Sequence, residues 1–416
     1  MSTLLTNIKE LFQVRLNDTP ALRGTAMDEV PSIKNAFLYI EEGRIADFGS
    51  MDDFPKHPAE EVIDCSNSII LPGYVDSHTH LVFAATRESE FEDRINGLSY
   101  EEIAARGGGI LNSASRLRDM DEDELFKNSL KRLETVLKTG TTTIEIKSGY
   151  GLDVASELKM LRVIKRLKNH EFVGGAKMII KATFLAAHAI PTEFKNDRNG
   201  YIDLIINEML PRISKEELAD FIDVFCEKNY FTVDEMRRLI VAGKKYGLQP
   251  KLHVNQFNSL GAVQAAVRAG AVSVDHLEVM TDEDLGNLKS SPTIATALPS
   301  CSFFLGLDYA PMKKMMENDV AVSLASDYNP GSTPSGNLNF VFALACIKMR
   351  MTPSQALNAL SINAAHALKL GSKVGSIQVG KRADLLLFED IESLAAIPYH
   401  FGENKISKVM LDGHFM

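Results

Sequence analysis

The sequence predicts an α/β protein, a (β/α)8 TIM barrel carrying a small β-sandwich domain built from both chain ends. Three observations predict it. Through the middle of the chain, short apolar runs alternate about eight times with longer amphipathic stretches, the pattern of parallel strands joined by helical crossovers. Both ends instead read as β structure. The length, 416 residues with 45% hydrophobic content, suits one barrel of roughly 250 residues plus an appendage.

The elements follow in order. Ala36–Ile40, a Glu41-Glu42-Gly43 turn and Arg44–Gly49 read as a hairpin, and Glu61–Asp64 and Ser68–Leu71 continue the β pattern. Barrel strands are expected at Gly73–Asp76, Thr142–Ile146, Ile179–Ala186, Phe221–Phe225, Leu252–Val254, Ser273–Asp275, Thr293–Ala297 and Ala321–Ala325, with helices such as Asp121–Lys138 and Ser156–Leu167 between them. Periodicity alone leaves a doubly wound open sheet as the alternative. The last stretch returns to strands at Gly375–Ile377, Ala383–Phe388 and Ile406–Leu411, the last before an Asp412-Gly413 turn. The expected domains are residues 1–70 and 373–416 for the two parts of the sandwich and 71–372 for the barrel.

Lys and Arg total 45 against 55 Asp and Glu, a net charge of -10. Such a surface repels nucleic acid and anionic membranes. The cysteines, Cys65, Cys226, Cys301 and Cys346, have neither metal-knuckle nor short disulfide spacing, and read as reduced, mostly buried thiols. The start of the chain lacks the basic and apolar regions of an export signal, and no apolar run is long enough to span a bilayer. A cytoplasmic protein is expected.

Chemistry gathers at the expected strand ends. His78-Thr79-His80 follows the first strand, and residues two apart share a face. A bare H-x-H is as readily two ordinary histidines near a turn. His188 is assigned to the end of the fourth strand, His253 to the fifth, His276 to the sixth and Asp327 to the eighth. Any one alone would read as a hydrogen-bonded structural residue. All six together, at the face where barrels place their chemistry, point to a metal site.

The run Leu71-Pro72-Gly73-Tyr74-Val75-Asp76-Ser77-His78-Thr79-His80 closely resembles the amidohydrolase superfamily signature. That resemblance implies His78, His80, His253 and Asp327 as ligands of one divalent or trivalent ion, zinc or iron. Binuclear members bridge two ions through a modified lysine after the fourth strand. This chain is expected to offer His188 there, with Lys181 too early in its strand, which favours a single ion. Longer segments narrow the resemblance to the imidazolonepropionase family: His80–Glu90, Ala105–Ile110, Glu145–Leu152, Ala187–Pro191 and Ala325–Ser332, in the family's order. The likeness covers essentially the whole chain. Gly380-Lys381-Arg382-Ala383-Asp384 also matches, but is widespread in the superfamily.

The family resemblance implies hydrolysis of 4-imidazolone-5-propanoate to N-formimidoyl-L-glutamate, a step of histidine degradation. The substrate is a small anionic heterocycle with a cyclic amide. Arg87 is the expected clamp for its carboxylate, since a guanidinium fork grips one bidentately; without the motif, a surface Arg paired with Glu88 or Glu90 would be favoured. Tyr150, in a Gly-flanked loop assigned after the third strand, and Asn329, Gly331 and Ser332 are expected to line the pocket. The bland alternatives are a packing tyrosine and ordinary turn chemistry around Pro330. His188 and Gln256 are expected to hydrogen-bond the ring. Some relatives carry Glu at the position of Gln256, and Gln cannot act as a base, so Asp327 and His276 are the expected catalytic residues. The nearest rival is a deaminase of the same superfamily acting on a purine, pyrimidine or formimino compound. A non-catalytic scaffold ranks lower, because all four ligands are present. Superfamily analogy alone implies a homodimer.

Overall fold

The computed structural model describes residues 2–55, 57–98, 102–103 and 106–416. Ala105, in one of the family-like segments, lies outside them. Two eight-stranded sheets organise these residues. The first is mixed and joins both chain ends. Ser2–Phe12 pairs antiparallel with Ser32–Glu41, which pairs with Arg44–Ser50. The other edge of Ser2–Phe12 is shared by Glu61–Asp64 and Ser68–Pro72, both parallel to it. A register shift between Leu5 and Ile8, with Asn7 at φ 53, bends the long strand so that it can serve both. Leu385–Glu389 then pairs with Ser68–Pro72, and Lys408–Leu411 with Leu385–Glu389.

Alternation gives this sheet two apolar faces. Leu385 and Leu387 pack with Leu5, Leu38 and Met410 in a core of its own. Leu386 and Phe388 enter the large core of the barrel. The expected strand Gly375–Ile377 does not form, and only a bridge between Val14 and Ile377 is made there. Gly375 takes φ 89 and sits against Ser361 O, where a side chain would collide, so the segment cannot run extended.

The second sheet is parallel and nearly closed. Its strands are Tyr74–Asp76, Thr141–Lys147, Ile179–Ala187, Phe221–Cys226, Gln249–Val254, Ser273–His276, Ile294–Ala297 and Val322–Leu324. The crossovers carry helices whose starts are written in the sequence. Asp121 caps Glu122–Lys138 and Asp153 caps Val154–Lys168, each carboxylate accepting backbone N–H bonds that the helix leaves open. Thr232 and Glu235 form a capping box at Val233–Lys245.

Two expected positions change. Only Tyr74–Asp76 precedes Thr141–Lys147, which pairs directly with Ile179–Ala187. Tyr150 therefore follows the second barrel strand and His188 the third. The fourth strand ends at Cys226, and the next residue is Glu227, whose carboxylate accepts from the backbone of Phe257 and Asn258. His188 therefore does not stand at the fourth strand end, the position expected from the sequence; Glu227 and the exposed Lys228 follow there.

Closure is made by the two segments that matter most. Asp327 N donates to His78 O at 3.0 Å and His80 N to Tyr328 O at 2.8 Å. The buried Asp76 carboxylate accepts from Ser326 N at 3.0 Å and Ser326 Oγ at 2.6 Å. The chain segments that follow the first and last strands are thus locked together at and within two residues of the candidate ligands.

Candidate metal centre and substrate chamber

Three imidazoles and one carboxylate converge inside the closed end of the barrel. Asp327 Oδ1 lies 3.6 Å from His78 Nε2 and 3.5 Å from His80 Nε2. His253 Nε2 lies 3.3 Å from His80 Nε2. All four side chains are buried. The tautomers follow from the opposite ring edges. His78 Nδ1 donates to Asp275 Oδ2 and His253 Nδ1 to Asp223 Oδ2, each at 2.7 Å. Their Nε2 atoms therefore present lone pairs to the common centre. Burial, then the Lys147 ammonium, pushes His78 and His253 well below the usual imidazole range; burial and His188 do the same for His80. Neutral imidazoles facing one another and a carboxylate, with His78 Nε2 left without a hydrogen-bond partner, form a set that a cation satisfies and that hydrogen bonding does not. The donors fit a metal ion with N/O coordination and no sulfur.

Behind the ligands lies a sealed charge network. Lys147 Nζ contacts Glu145 Oε1 at 2.7 Å and Asp223 Oδ2 at 3.0 Å, with Asp275 Oδ2 at 3.9 Å. Burial opposes its charge, but Asp223, Glu145 and Asp275 outweigh that and hold its pKa above the usual lysine value. Glu145 also accepts from Thr183. Lys251 Nζ lies 3.6 Å from Asp275 Oδ2. This network fixes the two carboxylates that orient His78 and His253. Breaking a buried pair from one side strands the other charges. We expect Lys147→Met to destabilise the fold by about 3–5 kcal/mol, seen as a lower urea midpoint; an unchanged midpoint would contradict the network's structural role.

His80, His253 and Asp327 open onto a small chamber of about 40 Å³. Arg87, Tyr150, His188, Gln256, Asn329 and Ser332 line it beside His80, His253, His276 and Asp327. His188 stacks on His80, centroids 5.1 Å apart, and its Nδ1 donates to Gly149 O at 3.1 Å. Burial lowers its pKa to about 4, so its Nε2 is left to accept a bond. Gly149 has φ 111, and a Cβ there would press on His188 Nδ1 at 3.0 Å. The Tyr150 loop is pinned from below by Glu157, whose carboxylate accepts from Gly149 N, Gly151 N and Leu152 N. Gln256 Nε2 donates to Cys301 Sγ at 3.5 Å.

Asn329 plays a different part from that of a plain pocket wall. Its Oδ1 accepts from Gly331 N at 2.8 Å and Ser332 N at 2.7 Å, and its Nδ2 donates to Asp327 O at 2.7 Å. It organises the loop that carries Ser332 Oγ to 3.4 Å from Asp327 Oδ2. Gly331 is not part of the chamber wall; it abuts the Arg87 guanidinium, and a Cβ there would overlap it. Arg87 is 7% exposed, with Nε 3.3 Å from Glu90 Oε2 and Nη1 buried without a hydrogen-bond partner among the described residues. Gly331→Ala must displace the guanidinium; with Arg87 in the carboxylate-binding role expected from the sequence, a shift of about 1 Å is expected to cost about 10²-fold in kcat/KM. Steady-state kinetics check this, and a ratio within twofold of the parent, a rough threshold, would show that the clamp tolerates the shift.

Two of the candidate groups, Asp327 and His276, have shifted proton affinities. Burial raises the Asp327 carboxyl to about 6, partly offset by His276. Burial would lower His276, but Glu278, Asp327 and Asp275 outweigh it and raise its pKa. Both residues take positive φ, 56 for Asp327 and 92 for His276, strained backbone at the point where the strands end.

The chain belongs to the amidohydrolase family, whose sequence profile matches residues 69–416. Its relatives include the imidazolonepropionase of Christiangramia forsetii, 54% identical with 99% of each chain covered, and that of Flavobacterium johnsoniae, 52% identical over 100% of both. Among solved structures, a zinc-bound adenosine deaminase from Xanthomonas campestris superposes with a TM-score of 0.72 at 14% identity, covering 99% of this chain and 92% of that one. The guanine deaminase of E. coli gives 0.71 at 16% identity, covering 100% and 99%. At such identities these two speak to the fold alone.

Proposed function

We infer that this chain is an imidazolonepropionase, which opens the ring of 4-imidazolone-5-propanoate by hydrolysing its cyclic amide C–N bond to give N-formimidoyl-L-glutamate. The observation that carries the chemistry is one chamber lined both by His80, His253 and Asp327 of the cluster, with His78 Nε2 3.6 Å behind Asp327 Oδ1, and by the buried Arg87 fork. The metal proposed for that cluster is a single zinc or iron ion. When bound there, it supplies Lewis-acid chemistry, acidifying water and polarising a carbonyl.

The protein's own groups do the rest. Arg87 grips the propanoate carboxylate and so fixes the ring's distance from Asp327. His188 Nε2 accepts a ring N–H, and the Gln256 amide bonds the ring edge. Water adds to the ring carbonyl carbon and gives its proton to Asp327, the buried carboxylate that faces the cluster. His276 donates to the oxygen that becomes negative. The C–N bond then breaks as the proton passes to the leaving nitrogen. Tyr150 and Ser332 close the wall around the ring. Among the described residues no helix is long and apolar enough to cross a membrane, and we assign the enzyme to the cytoplasm.

The test is direct. Metal-replete protein is mixed with freshly generated imidazolone propanoate, and its ultraviolet absorbance and free ammonia are followed together. Loss of absorbance without ammonia is expected. Stoichiometric ammonia from that substrate, or from an aminated heterocycle in its place, would identify a deaminase instead.

A further inference from the structure

Behind the chamber wall, from His276 outward, lies a second group of metal-binding atoms. His276, Glu278 and Cys301 each bring one donor atom to within 4.8 Å of the others. The His276 and Glu278 side chains are 4% and 3% exposed, and Cys301 is fully buried. Their polar atoms do not satisfy one another. His276 Nδ1 stands 3.6 Å from Glu278 Oε1, beyond a good hydrogen bond. His276 Nδ1 and Glu278 Oε2 are both buried without a hydrogen-bond partner among the described residues. Ser302 Oγ donates to the other oxygen, Glu278 Oε1, at 3.2 Å and so fixes the carboxylate. An orphaned ring nitrogen and an orphaned carboxylate oxygen beside a thiol are costly in a sealed wall.

We propose that His276, Glu278 and Cys301 form a second cation site, specific for soft divalent ions such as Zn²⁺ and Cd²⁺, whose occupation shuts off hydrolysis. One imidazole, one carboxylate and one thiolate make a mixed N/O/S set that suits these ions and not Mg²⁺ or Ca²⁺. Binding replaces the S–H bond of Cys301 with a sulfur–metal bond and releases the proton to solvent. The site shares no residue with the His78, His80, His253, Asp327 cluster. Its link to catalysis is His276. One ring nitrogen of His276 lies within 4.8 Å of the donor atoms of His78 and His253, while Nδ1 faces Glu278. An ion on Nδ1 holds the ring and takes Glu278 away from it, so His276 no longer serves the reacting oxygen. The loss of activity rests on the function proposed above; the binding of the ion does not.

Holoprotein carrying one metal equivalent is titrated with cadmium chloride. The ultraviolet thiolate-to-cadmium band, bound metal and hydrolysis are read on the same samples. The band is expected to saturate with one added equivalent, and turnover to fall in step by about 10²-fold, the share of one acid–base group. Cys301→Ser is expected to abolish the band and to make its own turnover insensitive to the same cadmium. Glu278→Gln, with the thiol in place, is expected to weaken cadmium binding by about tenfold or more. Cys346→Ser, at the half-buried cysteine elsewhere, changes neither readout. No band in the parent, a band that survives Cys301→Ser, or inhibition that does not track the band would overturn the proposal. A parent inactive on imidazolone propanoate but showing the band would overturn the substrate assignment and leave the cation site standing.

Discussion

Asp327→Asn is expected to lower kcat by about 10²–10⁴-fold, the range for removing a positioned proton acceptor. Asn has the shape of Asp, so the Asp327 N to His78 O closure bond survives. What disappears is the charge. Among the described residues, Asp327 Oδ1 is the anionic atom facing His78 and His80 Nε2, and its carboxyl is the proposed acceptor of the water proton. An amide does neither job. Metal content is measured on the same preparation. Slow turnover with the ion retained assigns the loss to proton transfer; slow turnover with the ion lost assigns it to ligation. A kcat within about tenfold of the parent would contradict both roles.

Arg87→Ala is expected to cost about 2–5 kcal/mol of transition-state binding, the range for truncating one partner of a buried charged pair. That corresponds to about 30- to 4,000-fold in kcat/KM. The specific signature is a comparison of the natural acid with its uncharged primary amide. The parent is expected to prefer the acid strongly, and Arg87→Ala to lose that preference. Arg87→Lys is expected to fall between, because lysine keeps the charge but not the two-pronged geometry. Equal losses on acid and amide would instead mark Arg87 as a scaffold for Glu90, its ion-pair partner at 3.3 Å.

Much of this arrangement was legible in the sequence because its parts are periodic or punctuated. The barrel strands announce themselves as short apolar runs, and Asp121, Asp153 and Thr232 mark helix starts. The ligands stand at or just beyond strand ends, where the side-chain period of two makes His78 and His80 neighbours. The supporting shell was harder to see. Asp223, Asp275, Glu145 and Lys147 lie within strands, and their contacts join residues far apart in the chain. A signal existed: charged residues inside Phe221-Ile222-Asp223-Val224-Phe225 and Thr141–Lys147 are expensive unless paired. Which charge meets which depends on strand neighbours and barrel closure, which no local pattern encodes. The same holds for Glu157, whose carboxylate pins the Tyr150 loop, and for Cys301, an unremarkable cysteine until the fold sets it beside His276. The end of the chain failed locally for a comparable reason. Gly375–Ile377 looks extended, but Gly375 is required to turn against Ser361.

The central claim concerns the four side chains around one ion. Protein prepared with limiting zinc or iron and dialysed free of excess should hold one ion per chain, and X-ray absorption at the metal edge should find imidazole nitrogen and carboxylate oxygen around it with no sulfur. His253→Ala should remove that spectrum. A sulfur neighbour under those conditions, a second metal at bridging distance, or a spectrum unchanged by His253→Ala would contradict the assignment of His78, His80, His253 and Asp327.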